Sequence, residues 1–276
     1  MRYILLLVII NILSSCNNNR YPPSNNKNIK IISLVPSITE ELATLGMSDY
    51  IVGATSYCNI TKTNKKLIIG NAIDVNIEKI LLLKPDIVFA STLNRQKDLD
   101  ILKRNNINIY ILNKMHSYND ICEHFIEIGK IIGKQDSALS IINKSKAKIK
   151  QLRNNIKPLI KDSLNIFFQI GEKPIFAIIP NTFMNDYITF AGCKNILYDL
   201  NKGTVTKESI LNRNPDIILI TTMNNNYKTD NMWEKYTELK AVKNNKIFIL
   251  DAKTASLPTV QSFTNTFEKI VKYIYH

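Results

Sequence analysis

The two halves of the chain repeat one pattern of apolar and turn-forming residues. Residues 76–92 read NIEKILLLKPDIVFAST, and residues 206–222 read TKESILNRNPDIILITT. Each stretch predicts a helix, a Pro-Asp turn and a buried strand, because proline lacks an N–H and restricts the residue before it. The strands at 87–90 and 217–220 are continuously apolar, which is typical of parallel strands covered on both faces. The repeat therefore predicts two similar units of helices and parallel strands.

Three more pairs of segments match between the halves in the same order: an opening strand, a helix that ends at a glycine, and a closing strand. The pairs are 29–34 with 165–170, 42–55 with 188–200, and 106–112 with 245–250. Each half then has the β-α-β-α-β order that is typical of a doubly wound sheet. We therefore expect an α/β fold with two Rossmann-like lobes, each built on a parallel sheet.

A helical segment separates the two halves. Ser117 followed by Asp120 is typical of a helix start, and apolar residues then recur at helical spacing until Gly133. A second helix of about 20 residues follows and would span about 30 Å. The sequence therefore predicts two lobes joined by a single long helix, with one crossing of the chain between them. The expected boundaries are 29–116 for the N-terminal lobe, 117–157 for the connecting segment and 158–276 for the C-terminal lobe.

The first residues have the anatomy of a bacterial signal peptide. Arg2 supplies a positive charge, residues 4–13 are apolar apart from one asparagine, and Ser14-Ser15-Cys16 follows. A branched apolar residue, two small residues and a cysteine form a lipobox, which predicts lipidation of Cys16. The alternative is ordinary secretion with a chance cysteine. We expect a signal peptide at 1–16, a flexible tether at 17–28, and an exported protein that is lipid-anchored to a bacterial membrane, on its periplasmic side or at the cell surface.

The chain carries a formal charge of +13, which raises the question of a nucleic-acid partner. The export signal argues against such a partner, and the basic residues form no compact run with interleaved aromatic side chains. A basic surface could still favour anionic ligands or lipid headgroups. We therefore expect no nucleic acid among the partners of this protein.

Several motifs of the chain resemble those of a known family. They are IISLVPSITEELATLG at 31–46, NIEKILLLKPDIV at 76–88, FFQIGEKP at 167–174 and KESILNRNPDIIL at 207–219. Over residues 29–274 the chain resembles the helical-backbone substrate-binding proteins, which serve ABC importers for cobalamin, haem and ferric siderophores. The resemblance implies a ligand held between two lobes, a connecting helix and only small hinge motion. It also implies a monomer with a permease dimer and its ATPase as partners, and no intrinsic cofactor, since the metal-containing chelate is the cargo.

Ligands of open α/β sheets bind beyond the carboxyl ends of the strands. The first such end is followed by Pro36 and Ser37, where a helix begins. Either its free N–H groups receive an anionic or carbonyl group, or Ser37 merely caps the helix. Trp233, the only tryptophan, is either a ligand contact or a core or rim residue. The expected ligand-binding residues at strand ends and in nearby loops are Pro36, Ser37, Asn71, Ser91, Thr92, Ile170, Gly171, Thr222, Trp233 and Thr254.

The cobalamin binders of this family suggest four particular positions. Tyr57 matches a tyrosine that packs on the corrin ring, and Ile170 stands where those proteins have phenylalanine. Ala72 and Lys202 fall near positions where they carry tryptophan. Three of the four positions are therefore not aromatic here, although each aromatic side chain can contribute about 150–250 Å² to an interface. The departure argues against cobalamin itself as the cargo, but not against the family.

Glu78 and Glu208 occupy equivalent positions in the two repeats. In the family, one glutamate of each lobe meets arginines of the permease, and bidentate contacts of that kind fix orientation as well as adding energy. The simpler interpretation is a glutamate in the first turn of a helix, where the helix dipole favours a negative charge. Both interpretations can hold together, and the resemblance implies that these residues dock on the permease.

Three other classes of protein are weighed against this interpretation. A bare transition-metal receptor usually needs several histidines, whereas this chain has His116, His124 and His276, for which solvated or helix-surface positions are the simpler interpretation. A surface hydrolase would need a motif such as G-x-S-x-G or H-E-x-x-H, and none occurs in the sequence. A structural or adhesive lipoprotein would not need the duplicated Pro-Asp motifs. We therefore expect no catalytic residue and no metal site.

The remaining cysteines allow at most one disulfide. They are Cys58, Cys122 and Cys193, and they form no C-x-x-C pair. Buried free thiols are the favoured interpretation, because free cysteine behaves as a small apolar side chain.

Overall fold

The computed structural model describes residues 29–71, 73–222 and 232–275. The expected signal peptide, Cys16 and the tether lie outside these residues, and so do Ala72 and His276. Within the described ranges, no helix combines the length and the apolar character that crossing a bilayer would require.

The N-terminal lobe alternates strands with helices. Its elements are β1 (Ile31–Ser33), α1 (Pro36–Thr44), β2 (Ile51–Ala54), α2 (Ile60–Thr63), α3 (Ile77–Leu83), β3 (Ile87–Ser91), α4 (Gln96–Arg104) and β4 (Asn108–Leu112). The four strands form a parallel sheet in the order β2-β1-β3-β4. Ile31 and Ile32 are adjacent in β1 yet belong to different apolar clusters, because successive side chains of a strand point to opposite faces. Both faces of the sheet are therefore covered, as the apolar strands predict.

A pair of helices follows the first sheet. They are α5 (Tyr118–Ile131) and α6 (Gln135–Ile156). The Ser117 side chain accepts a hydrogen bond from the Asp120 N–H and so caps α5, and Gly133 takes a left-handed φ of 69° between the helices. The 22 residues of α6 span about 33 Å.

The C-terminal lobe repeats the alternation and adds one strand. Its elements are β5 (Asn165–Glu172), β6 (Ile175–Ala177), α7 (Asn185–Phe190), β7 (Lys194–Asn195), α8 (Lys207–Arg213), β8 (Ile217–Thr222), α9 (Lys240–Lys243), β9 (Ile247–Asp251), α10 (Ala252–Ala255) and α11 (Val260–Tyr275). The sheet has the order β6-β5-β8-β9, with β7 also on β5. The pairs of β5 with β7 and β8, and of β8 with β9, are parallel as expected. However, β6 is antiparallel to β5, because the chain turns back at Lys173-Pro174 instead of entering a helix.

The aspartate of each Pro-Asp motif holds the start of its lobe's first strand in place. In the N-terminal lobe, the Asp86 N–H donates to the Lys30 carbonyl (2.9 Å), and Lys30 N–H donates to the Asp86 carboxylate (2.7 Å). In the C-terminal lobe, Asp216 and Asn165 exchange the same two bonds, each of 2.9 Å. The repeated Pro-Asp motif therefore corresponds to the same pair of hydrogen bonds, a backbone clamp, in each lobe.

The helix before each Pro-Asp motif also ends in the same way in both lobes. The Asn76 side chain caps α3, and the Thr206 side chain caps α8. Lys84 and Asn214 then take left-handed φ values of 47° and 43°, which end the helices one residue before the prolines.

Among the residues that the structure describes, three apolar clusters form the core, and the largest spans both lobes. It contains Phe89 from the first sheet and Phe168 from the second, together with apolar side chains of α5, α6 and α11. Helix α6 therefore does not stand alone between the lobes, because α5 and α11 pack against it. Its buried stripe runs through Ala138, Ile142 and Ile149, while Leu139 is exposed. Continuous packing of this kind favours small relative motion of the lobes.

Candidate functional site at the carboxyl ends of the strands

Helix α1 begins directly after β1 and presents an uncapped first turn. Its N-cap residue is Val35, which supplies no side-chain hydrogen bond, and Pro36 is the first helical residue. Ser37 is buried inside the first turn, so the structure contradicts the interpretation that Ser37 caps the helix. The Thr39 hydroxyl donates a hydrogen bond to Ser33 Oγ (2.8 Å), which joins the start of α1 to the end of β1. The backbone N–H groups at this end can therefore receive an anionic or carbonyl group, in keeping with the other interpretation.

Tyr57 projects from the loop after β2, and 65% of its surface is exposed. The next residue, Cys58, is fully buried, and its sulfur lies 3.1 Å from the Thr39 hydroxyl and 3.3 Å from the Thr55 hydroxyl. These contacts anchor the loop while the neighbouring tyrosine faces solvent. The position suits a stacking platform for a flat ligand.

The end of β3 forms a tight turn over residues 91–94. Asn94 Oδ1 accepts a hydrogen bond from Ser91 N–H (2.9 Å), and the Ser91 hydroxyl accepts one from Leu93 N–H (3.3 Å). Thr92 is exposed, and the Leu93 side chain is 73% exposed. Leu93 is a candidate contact that the sequence prediction missed, because the sequence does not show that this leucine is exposed.

The carboxyl end of β5 continues into the hairpin with β6. Ile170 and Gly171 are half-buried there, and Phe176 on the return strand is 45% exposed. A Cβ atom on Gly171 would lie 3.1 Å from the Phe176 Cβ, so glycine lets the hairpin close tightly. Phe176 is a second candidate that the sequence prediction missed, because that prediction ended the strand at residue 170 and included no return strand.

Trp233 is a core residue in the structure. Its side chain has no exposed surface, its ring meets Phe167 edge-on at 5.5 Å, and its indole N–H donates to Gln169 Oε1 (2.7 Å). These contacts correct its inclusion among the ligand contacts, since a side chain without accessible surface cannot touch a ligand in the cleft. Trp233 instead supports β5 through its contacts with Phe167 and Gln169.

The other loop candidates lie at the surface, and two of them serve local turns. Asn71 Oδ1 accepts hydrogen bonds from the N–H groups of Ile73 and Asp74, both at 2.8 Å. The Thr254 hydroxyl donates to the Asp251 carbonyl (3.1 Å) after β9. Thr222 is half-buried at the end of β8. Asn71 and Thr254 therefore have structural partners that a ligand would have to share or displace.

Glu78 and Glu208 are both exposed in the first turns of α3 and α8. Neither forms an ion pair with another residue that the structure describes. Hydrogen bonds from its own backbone N–H and from Thr206 hold the pKa of Glu208 below its ordinary value, so this carboxylate is ionised at neutral pH. Leu82 is also exposed, one turn beyond Glu78 on α3. Each lobe thus presents an exposed carboxylate at an equivalent position.

The histidines and cysteines of the described chain do not cluster. No group of three or more His, Cys, Asp or Glu side chains in the described residues could hold a metal ion. His116 is exposed, but His124 is buried against the Tyr110 hydroxyl (2.6 Å), which corrects the expected surface position. Burial lowers the pKa of His124. Cys58, Cys122 and Cys193 are buried free thiols, as expected.

The fold is that of a two-lobed protein, with the candidate site residues at the carboxyl ends of its two sheets. The chain belongs to the periplasmic binding protein family, whose model matches residues 31–254. It is 29% identical over 228 residues to YvrC, an uncharacterized ABC transporter substrate-binding lipoprotein of Bacillus subtilis, which covers 80% of this chain and 72% of that protein. The expected class, the substrate-binding protein of an ABC importer, is thereby confirmed.

Two further similarities concern proteins named for a ligand. The chain is 24% identical over 238 residues to the vitamin B12-binding protein of Vibrio campbellii, covering 83% of this chain and 84% of that protein. It also resembles the crystal structure of a possible iron-binding, periplasmic solute-binding protein of Staphylococcus epidermidis. That match has a TM-score of 0.79 and 28% identity, and it covers 91% of this chain and all of the other.

Proposed function

We propose that this protein captures a bulky metal chelate of the corrinoid, haem or ferric-siderophore class between its lobes. The observation that carries the proposal is the placement of three large exposed apolar side chains next to the carboxyl ends of strands. Tyr57 and Leu93 follow β2 and β3, and Phe176 lies on the hairpin after β5. Exposed apolar side chains on both lobes suit a large, partly apolar ligand more than a bare ion.

The uncapped start of α1 supplies the complementary polar contact. Haem and many siderophore and corrinoid ligands carry carboxylate, phosphate or amide groups, which bind readily to free N–H groups at a helix N-terminus. Pro36 and Ser37 lie at this end, close in sequence to the buried anchor Thr39. One lobe would therefore orient the polar groups of the ligand, while the apolar side chains bury its body.

Delivery follows from the exposed carboxylates and the expected anchor. Lipidation of Cys16 would hold the protein at the outer side of the membrane that contains the permease. Glu78 and Glu208 would then place the loaded cleft over the permease dimer, whose ATPase drives import. Two equivalent carboxylates suit a partner with two related basic pockets. The protein acts as a monomer in this scheme and adds no chemistry of its own.

The first test identifies the ligand. Protein purified from its native host is expected to absorb visible light, because each of the three ligand classes carries its own chromophore. Adding the matching ligand at 100 times its dissociation constant should stabilise the empty protein by about 2.7 kcal/mol. A thermal melt with haemin, cobalamin and a ferric siderophore would decide between the classes. Stabilisation by a free transition-metal ion, with none by these chelates, would contradict the proposal.

Replacement of Tyr57 by alanine is expected to weaken ligand binding about tenfold, because an aromatic surface against the ligand contributes about 1–2 kcal/mol. Tyr57→Phe keeps the ring and should bind within about twofold of the parent. Neither change should alter the melting temperature of the empty protein, since the side chain is exposed. Calorimetric titration measures both affinities. Equal binding by the alanine and phenylalanine variants would remove Tyr57 from the site.

A further inference from the structure

A second groove lies away from the cleft, where the start of α5, the last half of α6 and helix α7 meet. Its volume is about 950 Å³, which is within the range of small-molecule sites. None of the residues that line it belongs to the strand-end loops described above. Tyr118 at the start of α5 is joined to the groove's far wall by a hydrogen bond from its N–H to Asp186 Oδ2 (2.7 Å). The groove therefore spans the junction of the connecting segment with the C-terminal lobe.

One wall of the groove is strongly basic. Four side chains of α6 and the following turn contribute to it at spacings of four, three and four residues, which place them on one helix face. They are Lys146, Lys150, Arg153 and Lys157. Within the described chain none of the four forms an ion pair, whereas Lys148 on another face pairs with Glu268 at 3.0 Å. The four charges are therefore available to a ligand.

The floor of the groove is apolar. It consists of Ile149, Ile156, Ile160 and Phe190. The Arg153 guanidinium carbon lies 5.0 Å from the centre of the Phe190 ring, which orients this cation at the boundary between wall and floor. A Cβ atom at Gly192 would come within 2.4 Å of Ile160 Cδ1, so the glycine lets Ile160 lie in the floor.

Negative charge is scarce in the groove. Asp186 is the one carboxylate among the described residues that line it. Its Oδ2 already accepts the Tyr118 N–H bond, and burial raises its pKa. The groove thus combines a cationic wall with an apolar floor and little opposing charge.

We propose that this groove binds an anionic amphiphile, a molecule that joins a phosphate or carboxylate to an alkyl chain. The lysines and Arg153 would bind the anionic head, and the isoleucines with Phe190 would bury the first part of the chain. Such a ligand would contact α5 and α7 together, and hence both the connecting segment and the C-terminal lobe. This site is separate from the cleft and does not depend on the cargo.

The test uses the full chain with Cys16→Ser, which cannot be lipidated, and the single-chain lipid oleoyl-lysophosphatidylglycerol below its micelle concentration. Calorimetry is expected to show saturable binding of this lipid. Monooleoylglycerol has the chain without the phosphate, and glycerol phosphate has the phosphate without the chain. Each should bind at least about tenfold more weakly, because each loses one half of the contacts.

Two variants locate the binding, and a third serves as control. Lys146→Glu with Lys150→Glu reverses two charges of the wall, and Thr189→Trp fills the groove at an exposed position without changing charge. Both should lower the affinity at least about tenfold. Lys134→Glu with Lys144→Glu makes the same charge change at exposed positions outside the groove and should bind like the parent. Equal loss in the two double variants, or tight binding of glycerol phosphate alone, would overturn the proposal.

A sedimentation arm distinguishes the sources of the amphiphile. Binding to vesicles of phosphatidylglycerol, but not phosphatidylcholine, with the same ranking of variants would identify a membrane lipid. Binding of the soluble lipid without vesicle binding would identify a free amphiphile. Either result supports the site, whereas the absence of both kinds of binding contradicts it.

Discussion

Replacing Glu41 with leucine is expected to raise the free energy of unfolding by about 1–4 kcal/mol at pH 7, the range seen when buried ionic groups give way to apolar ones. Glu41 lies on the buried face of α1, and its side chain is 2% exposed. Neither carboxylate oxygen has a hydrogen-bond partner among the described residues. An unsatisfied buried carboxyl is destabilising, and leucine would replace it with apolar contact.

The gain should depend on pH in a defined direction. Burial raises the pKa of Glu41 well above its ordinary value, so the folded protein keeps a proton that the unfolded chain releases. Below the ordinary pKa of glutamate both the folded and the unfolded parent protein carry this proton, and burying Glu41 then costs the least. As the pH rises from there towards the raised pKa, the free energy of unfolding of the parent protein falls. The difference between Glu41→Leu and the parent should be smallest near pH 4 and should grow towards neutral pH.

Urea unfolding at several pH values measures both effects. Glu40→Leu is the matched control, because Glu40 is the neighbouring residue on α1 and is only half-buried. The Glu40 carboxylate accepts a hydrogen bond from Asn59 Nδ2 (2.7 Å). This control should change stability by less than about 1 kcal/mol. An unchanged or lower midpoint for Glu41→Leu at pH 7, or a gain that does not vary with pH, would show that the carboxyl has a partner.

Glu41 also illustrates why the sequence could not predict the whole structure. Two adjacent glutamates at residues 40 and 41 suggest a solvated helix face, yet the packing of α1 against α5 buries the second. The burial of His124 was missed for the same reason, since only tertiary contacts decide which polar residue of an amphipathic helix is enclosed. The hairpin of β5 and β6 was missed because a three-residue return strand carries no periodic signal.

The parts of the fold that the sequence did predict depend on local chemistry that occurs twice. The Pro-Asp turns appear in both lobes because Asp86 and Asp216 make the same backbone clamp. The sequence predicted that two helices end at Gly46 and Gly192, because glycine favours the left-handed conformation that ends a helix. Both residues take that conformation, with φ values of 75° and 73°. At the site, Tyr57 was found through the resemblance, whereas Leu93 and Phe176 emerge only when exposure is known.

Replacing Glu78 and Glu208 together with alanine is expected to lower transport about 100-fold while leaving ligand affinity within about twofold. Each carboxylate would lose a charge-assisted contact of about 1.5–3 kcal/mol with the permease, and two such losses correspond to 100-fold or more. Ligand binding should persist, because both residues lie on helices α3 and α8 and outside the strand-end loops. Each single variant should show a smaller and similar loss, since the two lobes present equivalent carboxylates.

The measurement compares uptake into cells or proteoliposomes with calorimetric ligand binding for the same preparations. Glu123→Ala with Glu238→Ala is the matched control, because it removes two exposed carboxylates and changes the net charge by the same amount. The control should transport like the parent. Normal transport by the Glu78 and Glu208 double variant would refute the docking role, and so would loss of ligand binding in that variant. If only one of the two single variants lost most of its transport activity, the permease would contact the glutamate of one lobe only. The sequence repeat would then no longer account for docking.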